Sequence, residues 1–172
     1  MINKLKVFFI INIFLTASLV MAQNAAMPEE VSQFDFWLGE WNCEWEDQNG
    51  ETQQSSNLVR KILNDKVIEE NFNGNPGMNL IGQSYSVYDV NSSKWKQTWV
   101  DNSGGYLDFT GGMEGDKMIL SRQAEVKGKK FLQRMVWFNI TEEKFDWNWE
   151  RSDDGGKTWK PQWKIRYSRK GN

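Results

Sequence analysis

Residues Phe34 to Trp45 read FDFWLGEWNCEW, and two periodicities meet inside this stretch. Phe34, Trp37 and Leu38 stand three and four apart, the spacing that gathers side chains on one face of a helix. Past Gly39 the period becomes two: Trp41, Cys43 and Trp45 alternate with Asn42, Glu44 and Glu46, as in a strand with one dry face and one wet face. Gly39 sits where the chain needs a residue that tolerates positive φ between helix and strand. The stretch therefore predicts a short amphipathic helix running into the first strand of a β-structure.

Upstream, Lys4 and Lys6 precede an almost wholly apolar run from Val7 to Val20, and Val20-Met21-Ala22 places small residues where a signal peptidase cuts. The pattern predicts a cleaved secretory signal over 1–22 and a single domain over 23–172, exported to the periplasm or secreted. The apolar run is short for a membrane span, so no stable membrane insertion is expected after cleavage. Gln23 to Pro28 reads as a leader, with Pro28, Glu29 and Glu30 suited to a first helical turn.

Downstream of Trp45 the chain reads as strand and turn. Gln48-Asn49-Gly50 carries a hairpin signal, Leu63-Asn64-Asp65 makes a second reversal, and Asn73 to Gly77 forms a longer loop. Further strands follow at Leu80 to Val90, Trp95 to Asp101, Tyr106 to Gly111, Lys117 to Ala124, Phe131 to Ile140, Phe145 to Arg151 and Thr158 to Arg169, with short polar separators. About ten consecutive strands with no helix between them describe an all-β, antiparallel up-and-down meander. Closing it into a barrel leaves no exposed edge. Parity sorts the faces: Trp95, Gln97, Trp99 and Asp101 fall together, as do Phe145, Trp147 and Trp149, and, in the last strand, Trp159, Trp163, Ile165, Tyr167 and Arg169.

Composition removes several kinds of chemistry. The chain has no histidine, which excludes a histidine-ligated haem, a histidine zinc site and any imidazole base. Cys43 is the only cysteine, so no intramolecular disulfide staples the fold. The formal charge of −2 becomes −4 once Lys4 and Lys6 are removed, which speaks against a nucleic-acid partner. No cofactor, metal or catalytic set is expected, and the oligomeric state is not readable.

Several pieces together resemble a known family. They are FDFWLGEW (Phe34 to Trp41), EENF (Glu69 to Phe72), WKQTWVD (Trp95 to Asp101), WERS (Trp149 to Ser152) followed by Trp159, and YSR (Tyr167 to Arg169). This set is similar to an uncharacterised bacterial family of exported lipocalin-like domains of unknown function. The resemblance implies a calycin-type barrel preceded by one short helix. It also implies that the first-strand Trp41 packs under an arginine near the end of the last strand, for which Arg169 has the better parity, so that Trp41 and Arg169 close the barrel. No activity comes with the resemblance.

A second motif, Ser152 to Trp159, matches the S-x-D-x-G-x-T-W Asp-box of β-propeller sialidases. A single copy builds no propeller, and its bland reading is a hairpin tied by Asp154; a sugar-contacting or ion-binding loop is the sharper one. The residues expected to form a ligand wall are Gln97, Trp99, Asp101, Glu70, Arg134, Trp147 and Trp149, with aromatic rings for affinity and polar groups for orientation. Arg134 shares parity with Leu132, Val136 and Phe138. The partner is expected to be a small hydrophobic or amphipathic molecule. Two alternatives stand beside this: a cofactor-free enzyme using Asp101 with Glu70, and a solid-cored structural or interaction module. Small barrels often fill their interiors with side chains, and the sequence does not say which case applies.

Overall fold

The wet-dry alternation that starts at Trp41 becomes ten strands in the computed structural model, which describes residues 28–171. The signal segment expected over 1–22 lies outside the described residues. In chain order the strands are β1 (Gly39–Glu46), β2 (Thr52–Ile62), β3 (Val67–Asn73), β4 (Ile81–Asp89), β5 (Lys94–Asp101), β6 (Tyr106–Glu114), β7 (Lys117–Val126), β8 (Lys129–Phe138), β9 (Lys144–Ser152) and β10 (Lys160–Arg169). Each pairs antiparallel with its sequence neighbours, and β1 also pairs with β10. The sheet is a closed barrel with no free edge.

The seam is built from the residues that open and end the barrel. Trp41 pairs with Arg169 and Cys43 with Tyr167. The Arg169 guanidinium lies 4.3 Å from the centroid of the Trp41 ring, while its Nη1 donates to the Leu38 carbonyl at 2.9 Å and its Nε to the Glu142 carbonyl at 2.7 Å. Such a cation over an aromatic face contributes about 0.5–2 kcal/mol, depending on desolvation. Trp41 in turn donates from Nε1 to the Trp37 carbonyl at 2.8 Å, tying the seam to the segment before β1. Gly39 is required here twice: its φ is +122°, and a Cβ would overlap the Arg169 guanidinium.

The helical segment forms as two 3₁₀ turns, Glu29–Ser32 and Asp35–Trp37. Neither turn has a side-chain cap, and a run this short satisfies its backbone with the tighter i→i+3 bonds, such as Trp37 N–H to the Phe34 carbonyl at 3.0 Å. Its apolar residues do not lie along an outer wall. Phe34 and Trp37 insert into the barrel mouth, where Phe34 meets Trp95 edge-on at 4.9 Å and Trp137 at 5.3 Å, and Trp37 meets Trp137 at 5.3 Å. That end is plugged.

One strand departs from the expected parity. Between Pro161 and Trp163, β10 carries an extra residue against β9, so the side-chain alternation shifts by one. Proline has no N–H to give the ladder and is confined to such irregular sites. Trp163, Ile165 and Tyr167 consequently share the interior, whereas Trp159 falls outside, under the Arg134 guanidinium at 4.0 Å. The last strand starts at Lys160, two residues after the expected Thr158.

Candidate functional site

The interior divides according to side-chain size. Facing inward, β2 supplies Ser55, Asn57 and Val59, and β4 supplies Gly82, Ser84 and Ser86. Opposite these small residues, β5, β6, β9 and β10 supply Trp99, Phe109, Trp147, Trp149 and Trp163. Large rings across from small polar residues leave a cavity of about 230 Å³. At roughly 30 Å³ per water, that volume equals about eight waters, enough for one ring with a short chain.

The cavity lies away from the plug. Phe72, Leu80, Trp99, Leu107 and Trp163, at the end where β3 and β5 finish and β4, β6 and β10 start, form its outer part. All of these except Phe72 are only half-buried. Glu70, Trp137 and Tyr167 line it deeper in. The 74–80 loop folds against this end: the Gly74 N–H donates to the Leu80 carbonyl at 2.8 Å, and the Gly77 N–H donates to the Gln54 carbonyl at 3.0 Å. Gly82 leaves room for the wall, since a Cβ there would overlap the indole of Trp99.

Glu70 is the one ionisable carboxylate on this wall. It sits on β3 between Ile68 and Phe72, so the same two-residue period that buries those side chains carries the carboxyl inward. Asn57 Nδ2 donates to Oε1 at 2.7 Å and Ser84 Oγ donates to Oε2 at 2.7 Å. Burial raises the Glu70 pKa from 4.5 to about 7, and the Ser84 and Asn57 bonds offset only part of the rise. Burial likewise raises the Tyr167 hydroxyl well above its ordinary range, with the neighbouring Cys43 and Glu70 adding to the effect. The Cys43 thiol is pushed up to about 12, chiefly by burial, which leaves it protonated and inert as a nucleophile. No lysine or arginine lines the cavity among the described residues.

Two lining tryptophans carry fully enclosed indole N–H groups. Nε1 of Trp137 and Nε1 of Trp163 are buried and have no hydrogen-bond partner among the described residues. A donor left without an acceptor in a dry site costs about 1–3 kcal/mol.

Comparison with protein-family models and with curated proteins gives no match. The site is therefore read from its own geometry.

Of the residues the sequence assigns to a ligand wall, Glu70, Trp99, Trp147 and Trp149 come together in the cavity. Gln97 also faces inward, but its Nε2 donates to Ser86 Oγ at 2.9 Å and it lies outside the cavity lining. Asp101 works on the rim. It accepts from Trp99 Nε1 at 2.9 Å, from the Ser103 N–H at 2.9 Å, from the Gly105 N–H at 3.0 Å and from the Ser103 hydroxyl, so it fixes the β5–β6 turn and the tilt of the Trp99 ring. These donors, led by the Ser103 hydroxyl and Trp99, hold its pKa down to about 2. Glu70 and Asp101, the pair a cofactor-free enzyme would use, thus belong to separate hydrogen-bond networks.

Arg134 is on the outer wall, as its parity with Leu132 indicates. Its Nε donates to Glu150 Oε2 at 2.7 Å, Glu150 also accepts from Asn148 at 3.0 Å, and the guanidinium stacks on Trp159. This outer cluster pins the Asp-box hairpin to the barrel. Within that hairpin Asp154 accepts from the Thr158 N–H at 3.0 Å, the Thr158 hydroxyl at 2.6 Å and the Ser152 hydroxyl at 2.7 Å, the pattern of a structural turn. No group of three or more Cys, Asp or Glu among the described residues is placed to hold a metal ion.

Asn57, Ser84, Phe72, Trp163 and Tyr167 belong to the site and were not assigned to it from sequence. Phe72, Trp163 and Tyr167 gave a signal, Phe72 through its parity with Glu70 and the other two through their shared parity in the last strand. Asn57 and Ser84 become partners of Glu70 through strand register, which pairs Ser84 with Glu70 across β3 and β4.

Proposed function

We propose that this protein is an exported, lipocalin-like binding barrel that holds a small hydrophobic or amphipathic molecule in its aromatic interior. One observation carries the reading: an internal space of about 230 Å³ bounded by five tryptophans, two phenylalanines and one carboxylate in an otherwise packed barrel. Aromatic side chains give broad apolar contact, and a few polar groups fix orientation. The apolar stretch preceded by Lys4 and Lys6 supports export.

Tryptophan fluorescence supplies the test, because Trp99, Trp147, Trp149 and Trp163 all line the space. Titration with a panel of single-ring and short-chain apolar probes is expected to quench or shift the emission saturably, with 1:1 stoichiometry. Replacing Trp149 with Ala is expected to weaken that response. A panel that produces no saturable change, confirmed by calorimetry, would refute the binding function and favour a solid-cored interaction module.

A further inference from the structure

We propose that the ligand is a small organic cation, an ammonium carried on a single ring or short chain, with its charge directed to Glu70 and its body between the tryptophan faces. The inference rests on the binding function above and narrows its ligand class.

Two observations lead to it. First, the sign of the cavity is set by one group. Glu70 faces the space, its charge is stabilised only by the neutral donors Asn57 and Ser84, and no lysine or arginine shares the lining among the described residues. The one cation assigned to this wall from sequence, Arg134, is bonded to Glu150 on the outside. An anionic head placed here would meet Glu70 with no cation in the lining to offset the repulsion, since the inward Arg122 lies behind Phe109, over its ring at 5.8 Å and bonded to Gln133 at 2.8 Å, whereas a cationic head supplies the missing counter-charge.

Second, the rest of the lining suits a cation better than a plain hydrocarbon. Trp99, Trp147, Trp149, Trp163, Phe72 and Phe109 surround the volume, and an ammonium is attracted to the electron-rich faces of such rings. Several of these rings meet edge to face, such as Trp147 with Trp163 at 5.7 Å and Phe109 with Trp149 at 5.6 Å, which turns faces as well as edges toward the interior. A carboxylate within a group of aromatic faces is an arrangement that selects positive charge with an apolar body.

The matching molecule therefore carries an ammonium on a compact apolar body, within a volume of about eight waters.

Three probes that share a phenol ring test this: tyramine, its neutral counterpart 4-propylphenol, and the anion 3-(4-hydroxyphenyl)propionate. Calorimetry on the full chain is expected to show tyramine binding at least about tenfold tighter than 4-propylphenol, a difference of about 1.4 kcal/mol, with the propionate weakest. Glu70→Gln is expected to abolish the preference for tyramine over 4-propylphenol. The three-probe comparison on the native protein stands even where that variant does not fold. Equal binding of tyramine and 4-propylphenol, or tighter binding of the propionate, would overturn the cation inference and leave the binding barrel standing. If none of the three binds and the apolar panel also fails, both readings fall.

Discussion

At one end of the barrel Phe34 and Trp37 descend between Trp41, Trp95 and Trp137, and the rings close on one another; at the other end Trp99, Trp147, Trp149 and Trp163 stand around open volume. The residue type is the same, and so is the sheet that carries it. What differs is the material placed across from the rings. At the closed end Phe34 and the 3₁₀ turn Asp35–Trp37 add an extra layer inside the barrel, whereas at the open end β2 and β4 offer only Gly82, Ser84, Ser55 and Asn57. A tryptophan-rich strand therefore does not by itself specify a solid core. Hollow or filled is decided by the partner strands and by the segment that precedes β1.

The largest effect expected from this contrast is on stability. Phe34 is fully buried among Trp37, Trp95 and Trp137, so Phe34→Ala is expected to remove about 3–5 kcal/mol, read as a lower midpoint in chemical denaturation with an unchanged slope. Trp149→Ala removes a larger side chain, yet one that already borders empty space, and should cost well under that of Phe34→Ala. Equal losses at the two positions would show that the two ends are packed alike and would break the comparison.

Next comes the pH dependence set by Glu70. Below pH 4.5 the group is protonated in both folded and unfolded chains and contributes nothing to the pH dependence. Between 4.5 and about 7 the unfolded carboxyl is ionised while the folded one keeps its proton, so the folded state holds more protons and stability falls as pH rises. The loss is complete above about 7 and amounts to about 3 kcal/mol, from a rise of 4.5 to about 7 at 1.36 kcal/mol per pKa unit. Denaturation at pH 4.5 and pH 8 should reveal it. Glu70→Gln removes the titrating group and should remove this component of the slope; a variant as pH-sensitive as the native chain would show that the interior charge lies elsewhere.

Gly82 offers a sharper probe of the open end alone. Gly82→Ala drives a methyl into the space of the Trp99 indole, so the ring must move and its bond to Asp101 must stretch. Overpacking of this kind costs about 1–3 kcal/mol, and here it also alters the cavity wall. The expected signature is a shifted tryptophan emission together with weakened probe binding. Unaltered emission and affinity would mean that Trp99 is not held where the register puts it.

The same contrast explains how far the sequence could be read. Strand number and closure follow from period-two alternation and from short polar turns, because burying one face of every strand leaves the chain few other arrangements; the Trp41–Arg169 seam was implied by the family resemblance, with parity only choosing the arginine. The plug was half legible: Phe34 and Trp37 are spaced for one face of a helix, but nothing local says that this face enters the barrel. The site was harder. On β4 the apolar Tyr85 and Val87 point outward and the small Ser84 and Ser86 inward, so hydrophobicity alone assigns that strand the wrong face. Trp159 was misplaced because a single bulge near Pro161 inverts every side chain before it. Glu70 was reachable only through its parity with Phe72, and its partners Asn57 and Ser84 only through a register that no single strand encodes.

The smallest expected effect lies outside the barrel, where the Asp-box hairpin leans on the wall through Arg134 and Trp159. Ser152 is almost fully buried there; its hydroxyl donates to Asp154 at 2.7 Å and accepts from the Gly156 N–H at 2.8 Å. Ser152→Ala deletes both bonds without adding volume and should cost about 1 kcal/mol. Because the hairpin makes its contacts on the opposite side of the sheet from the cavity, probe affinity should stay unchanged while the denaturation midpoint drops. That separation is what distinguishes a structural Asp-box from a binding loop. Were Ser152→Ala to weaken tyramine or 4-propylphenol binding more than about twofold, the hairpin would have to be counted as part of the cavity entrance, and the division of the molecule into a plugged end and a receptive end would need a third, outer component.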